Sequence, residues 1–148
     1  MTGTWEEPGW RGYALPLLLR RHSALLGSVV VGLLWVLWHL PLFITGHVPW
    51  ADGAFLFAVT FVFTLIYLHT AGSVPVAFLL HATMNSGAGF FVLLFVGDDR
   101  VRMYWLAAIL CAVIAIVAIV LSPERWRRAP VVPSTPARAQ PQDLQAPG

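Results

Sequence analysis

Four long apolar runs dominate the chain, at residues 23–44, 53–69, 74–96 and 103–121. Each approaches the ~20 residues that a helix needs to cross a hydrocarbon core, the second run being the shortest. In lipid the backbone must satisfy its own hydrogen bonds, so helix is the expected form even where Gly and β-branched residues would weaken a soluble helix. Of the 148 residues 58% are hydrophobic, well above the ~45–50% of ordinary soluble domains. The expected fold class is therefore all-α, a polytopic transmembrane helical bundle. A leading stretch, residues 5–19, is interrupted by Pro8, Gly9, Gly12 and Pro16. It reads as a helix with disturbed ends, partly buried among the others.

Charge is sparse and placed at the ends of runs. All 9 basic residues are Arg, set against 7 acids. Arg20, Arg21, Arg125, Arg127, Arg128 and Arg138 fall on one expected side of the membrane, and Arg100 and Arg102 on the other, beside Asp98 and Asp99. The positive-inside rule then puts the C-terminus in the cytoplasm. Trp50, Trp105 and Trp126 lie near run ends and read as interfacial anchors. No basic stripe suited to nucleic acid is present. The single cysteine, Cys111, lies inside an apolar run and reads as a packing residue. The expected organisation is a membrane domain over 1–122, embedded in lipid, followed by a tail over 123–148 that is first basic and then Pro-rich and disordered.

The polar interruptions carry the functional information, because an ionisable or amide side chain at membrane depth is expensive unless it has partners. The run WVLWH sets His39 one turn after Trp35, and HATMN sets His81 and Asn85 on one helix face. In EEPGWR, Glu7 and Arg11 share a face, with Glu6 rotated by about 100° from Glu7. Three segments thus each present a polar face, and turning those faces toward one another costs least. Asp52 reads as a helix-start residue, and His22, His47 and His69 as interfacial.

A carboxylate, two imidazoles and an amide gathered in one hollow suit hydrolysis by activated water. Glu7 is the preferred general base, with His39 orienting the same water. His81 assists the leaving group or holds the water, Asn85 donates to the oxyanion, and Arg11 neutralises a nearby carboxylate, taken to be Glu6. No Ser or Cys has a setting that suggests a covalent route. The same atoms also allow zinc, held by Glu7, His39 and His81, although the chain has no HExxH spacing. These residues leave the choice between the two readings open. The competing class is a noncatalytic membrane module: a scaffold, an immunity or interaction partner, or an inactive fragment of such an enzyme.

Together the motifs resemble the CPBP family of intramembrane proteases, which includes the type II CAAX prenyl endopeptidases and the Abi or lysostaphin-resistance-protein-A-like proteins. EEPGWR at Glu6 to Arg11 is similar to that family's Glu-Glu pair with a following Arg. WVLWH at Trp35 to His39 resembles its aromatic-xxx-His motif, with Trp where Phe is usual, and HATMN at His81 to Asn85 its His-xxx-Asn motif. The resemblance covers about residues 4–97. It implies a partial version of the CAAX-protease-like membrane fold, with an active site of Glu6, Glu7, Arg11, His39, His81 and Asn85. It also implies an endopeptidase, glutamate-dependent or metalloprotease, acting on a membrane-associated or lipidated peptide or protein. The flanking sequence resembles a bacterial subgroup, which implies the bacterial cytoplasmic membrane. Family members carry several helices before the first motif, so an N-terminally truncated form, a misplaced start or half of a split system is expected.

One count opposes convergence. His39 lies some 16 residues into the first run and His81 about 7 into the third, an offset of about 14 Å at 1.5 Å per residue if both helices start at the same level.

Overall fold

The computed structural model describes residues 3–127. Its regular structure is entirely helical. A continuous helical run opens the chain: a 3-10 turn at Gly3–Glu6, α1 (Glu7–Gly9), a π-helical turn at Trp10–Ala14 and α2 (Leu15–Leu19). Then follow α3 (Ala24–Trp38), α4 (Leu40–Ile44), α5 (Ala51–His69), α6 (Val74–Leu94), α7 (Gly97–Leu121) and α8 (Pro123–Arg127). Pro8 and Pro16 each fall in the first turn of their helix, where a missing N–H does least harm. The broken leading stretch therefore stays helical.

Among the described residues three helices, α5, α6 and α7, are long and apolar enough to cross a membrane, and the protein is a multi-pass membrane protein. The run expected at 23–44 is not one helix. It breaks at His39, a turn residue at φ −85°, ψ −3° that separates α3 from α4. The cause is local: Pro41 has no N–H to continue the ladder, and the chain restarts as α4 around it. At the other end of α3, Ser23 caps the helix, its hydroxyl accepting from the Leu26 N–H at 3.2 Å. The fourth run also extends further back than expected, to Gly97. That residue adopts φ 56°, which glycine tolerates, and Asp98 and Asp99 then occupy the favourable first turn of α7. Arg100 reaches back to the carbonyls of Phe95 and Val92, both at 3.1 Å, and closes the end of α6.

α5 is the central helix, packed between α3 and α7. Its contact with α3 is close because Gly32 faces the Phe57 ring, where an added Cβ would lie 3.0 Å away. A buried hydroxyl pair strengthens the same contact, Ser28 donating to Thr64 at 2.8 Å. One apolar cluster joins Leu15, Leu19, Val31, Phe61 and Trp126. Trp126, expected at the interface, is instead 1% exposed and tilted against Phe61 with ring centroids 6.3 Å apart. The basic start of the expected tail thus returns to the bundle as α8, which packs on α3 and α7. The Pro-rich part lies outside the described residues. A second cluster, of Trp35, Phe43, Leu56, Val59, Phe63 and Ala77, forms the floor of the polar site.

The offset between His39 and His81 disappears because the helices do not start at one level. A turn through Ala71 (φ 50°) and Gly72 (φ 83°) launches α6 so that Val74 packs beside Gly12, in the middle of the leading run. Two turns later, His81 reaches the level of Glu7.

Candidate active site

At the centre of the site lies a buried charged triplet. Glu7 Oε1 accepts from Arg11 Nη1 at 2.9 Å and from His81 Nδ1 at 2.7 Å. Glu7 and Arg11 are 0% exposed and His81 is 4% exposed. The i,i+4 spacing on the leading helix places the first two side by side, and α6 delivers the third. The Arg11 guanidinium is held between two aromatic rings, 4.5 Å from the Trp35 centroid and 4.1 Å from that of Phe63. Among the described residues Arg11 Nε and Nη2 have no hydrogen-bond acceptor, and the π faces stand in for one. Burial of the Arg11 charge is offset by Glu7 and by the two ring faces, while the second Glu7 oxygen, Oε2, is buried with no hydrogen-bond partner among the described residues. The partner of Arg11 is thus Glu7, not Glu6.

Glu6 points elsewhere. Its Oε2 accepts from the Trp35 indole N–H at 2.8 Å and its Oε1 from the Trp38 indole N–H at 3.1 Å. His39, one turn after Trp35, bonds through Nδ1 to the Trp35 carbonyl at 3.0 Å. A carbonyl oxygen only accepts, so Nδ1 carries a proton, and Nε2 is the acceptor when the ring is neutral. His81 commits its Nδ1 in the same way, to a carboxylate, which leaves Nε2 as its second working atom. The Trp35 ring meets both imidazoles edge to face, at 6.1 Å from His39 and 5.4 Å from His81.

Two cavities flank this group. One, of about 870 Å³, is lined by Glu6, Trp5, Trp10, Tyr13 and Trp38, among others. The second, of about 620 Å³, is lined by His81, Asn85, Trp35, Asp52 and Tyr104 among others. His39 belongs to the walls of both, whereas Glu7 and Arg11 line neither. Asn85 borders the second cavity one turn beyond His81, exposed and making no hydrogen bond among the described residues. Of the six residues singled out from the sequence, Glu7, Arg11 and His81 are in direct contact. Glu6 and His39 join them through Trp35, and Asn85 shares the cavity wall.

Two features escaped the sequence reading. Asp52 is 7% exposed in the second cavity, but an acid at a helix start has an ordinary explanation and drew no further attention. The indole groups of Trp35 and Trp38 hold Glu6, and in sequence they are simply two aromatic residues in an apolar run.

The proposed zinc set does not form a ligand cluster. Among the described residues no group of three His, Cys, Asp or Glu side chains is close enough to hold a metal ion. Glu7 Oε1 is turned to Arg11 and to a protonated imidazole nitrogen.

Acid, imidazole and amide side chains are thus gathered beside the membrane-length helices α5 and α6. The family model for type II CAAX prenyl endopeptidases, Rce1-like, matches residues 1–87, which include all six site residues, and the chain belongs to that family. Among curated proteins it is similar to a "CAAX prenyl protease 2" of Methanococcus maripaludis, 48% identical over 42 residues. The match covers 28% of this chain and spans only 16% of that relative's length. No solved structure matches the chain significantly.

Proposed function

We propose that this protein is an intramembrane endopeptidase that hydrolyses a peptide bond of a membrane-associated or lipidated substrate with water activated by Glu6 and His39. The observation that carries the reading is the buried bond from His81 Nδ1 to Glu7 Oε1, which ties the first and third motifs into one site. The base role expected of Glu7 passes to Glu6. Glu7 is sealed from both cavities with one oxygen shared by two donors, whereas Glu6 lines a cavity together with His39. A carboxylate offers about four lone-pair sites, and the two indoles use two, so Glu6 retains acceptors for a water proton.

Glu6 takes a proton from a water that also donates to His39 Nε2. The water oxygen bonds to the scissile carbonyl carbon. Negative charge on the carbonyl oxygen is met by the Asn85 amide and by an Nε2–H of His81, whose ring is held in place by the Nδ1 bond to Glu7. Collapse breaks the C–N bond, and the proton held by Glu6 passes to the leaving amine. Similarity to a protein named as a CAAX prenyl protease supports a substrate cut near a membrane anchor.

Cleavage of a membrane-anchored peptide by the full chain in detergent or bilayers is the test. Turnover by wild type, lost in Glu6→Gln and in His39→Ala with the helical fold kept, is the expected result. Equal inactivity of wild type and variants under all lipid conditions would favour a noncatalytic membrane module.

A further inference from the structure

The geometry assigns Trp35 and Trp38 as positioning residues that fix the Glu6 carboxylate through both of its oxygens. The inference rests on Glu6 being the base. Its starting point is that every polar contact Glu6 makes runs to an indole N–H, at 2.8 Å from Trp35 and 3.1 Å from Trp38. The adjacent carboxylate, Glu7, holds the direct Arg11 and His81 contacts, so Arg11 acts on Glu6 only through space. A glutamate in the wall of a cavity this wide has several rotamers open to it, and only some leave a lone pair beside His39. Indole donates but never accepts and never ionises, so it orients a base without competing for the proton being transferred. The i,i+3 spacing puts both indoles on one side of α3, reaching opposite oxygens of one carboxylate.

Trp35 is the stronger of the two. It is 1% exposed, so its ring cannot swing away, and its own carbonyl accepts the Nδ1–H of His39. One residue therefore sets the rotamer of the base and the tautomer of the histidine beside it, while its ring face carries Arg11. Trp38 is 62% exposed and acts as the second, outer tether.

Trp35→Phe keeps an aromatic side chain and the backbone carbonyl that His39 uses, and removes the indole N–H together with the pyrrole part of the ring. We expect kcat to fall by ~10- to 100-fold with KM nearly unchanged, the size of loss that follows from a misplaced catalytic group. Trp38→Phe should fold without difficulty, given its exposure, and lower kcat by a smaller factor in the same direction. In a Glu6→Gln background Trp35→Phe should have no further effect on the residual rate. Independently of turnover, the indole N–H resonances of Trp35 and Trp38 should both move in Glu6→Ala, while those of the other tryptophans stay. Unmoved resonances would overturn the tethering whatever the activity. Moved resonances with an unchanged kcat in both Phe variants would overturn the positioning role. A fully active Glu6→Gln with moved resonances would instead remove the base assignment and leave the tether standing as structure alone.

Discussion

The Nδ1 of His81 lies 2.7 Å from Oε1 of Glu7, across 74 residues of sequence and with both side chains buried. This contact fixes α6 against the leading helical run at the level of the site. It also turns two isolated polar residues in apolar runs into one charge-assisted unit with Arg11.

Removing the shared acid should therefore harm the fold as well as the chemistry. Glu7→Ala leaves Arg11 buried without a counter-charge, for which a loss of about 3–5 kcal/mol is expected. Thermal unfolding in detergent, followed by circular dichroism, measures it. The double variant Glu7→Ala with Arg11→Met should recover much of that loss, since the orphaned charge is gone. A double variant no more stable than the single would contradict the pairing.

Glu6→Gln separates chemistry from stability. The amide oxygen still accepts from an indole, so the unfolding temperature should stay near wild type. Turnover of a membrane-anchored peptide should drop by roughly 10²–10⁴-fold, the range expected for loss of a general base.

Arg11→Lys keeps the positive charge and discards the planar cation that fits between Trp35 and Phe63. A stability loss of about 1–2 kcal/mol is expected from the weakened stacking. Unfolding at matched detergent concentration measures it, and a variant as stable as wild type would show that charge alone suffices.

Trp126 tests whether α8 belongs to the bundle. Trp126→Ala empties a fully buried site beside Phe61 and should cost about 3–5 kcal/mol. Trp126→Phe should cost less than about 1.5 kcal/mol, because the indole N–H has no hydrogen-bond partner among the described residues. An interfacial tryptophan would give small, similar losses in both.

Much of the architecture was legible in the residues. The apolar runs marked the membrane helices, since a span must be both long and apolar. The i,i+4 spacing put Glu7 and Arg11 on one face, although the carboxylate expected to pair with Arg11 was Glu6. Helix ends were less legible. The break at His39 depended on Pro41 acting inside a run whose hydropathy is continuous, and the buried position of Trp126 depended on α8 folding back.

What the sequence by itself determined was that a helical membrane bundle must hide an acid pair, an arginine, two histidines and an amide from lipid. Polarity at membrane depth allows little else. Only the tertiary structure decided which acid meets which partner. Glu6 and Glu7 are adjacent and chemically identical, yet a turn of about 100° per residue sends one to the buried Arg11–His81 pair and the other to the indoles at the cavity wall. The level at which α6 enters was likewise set by the Ala71–Gly72 turn and the Val74 contact with Gly12, a packing relation between distant segments that no local spacing encodes.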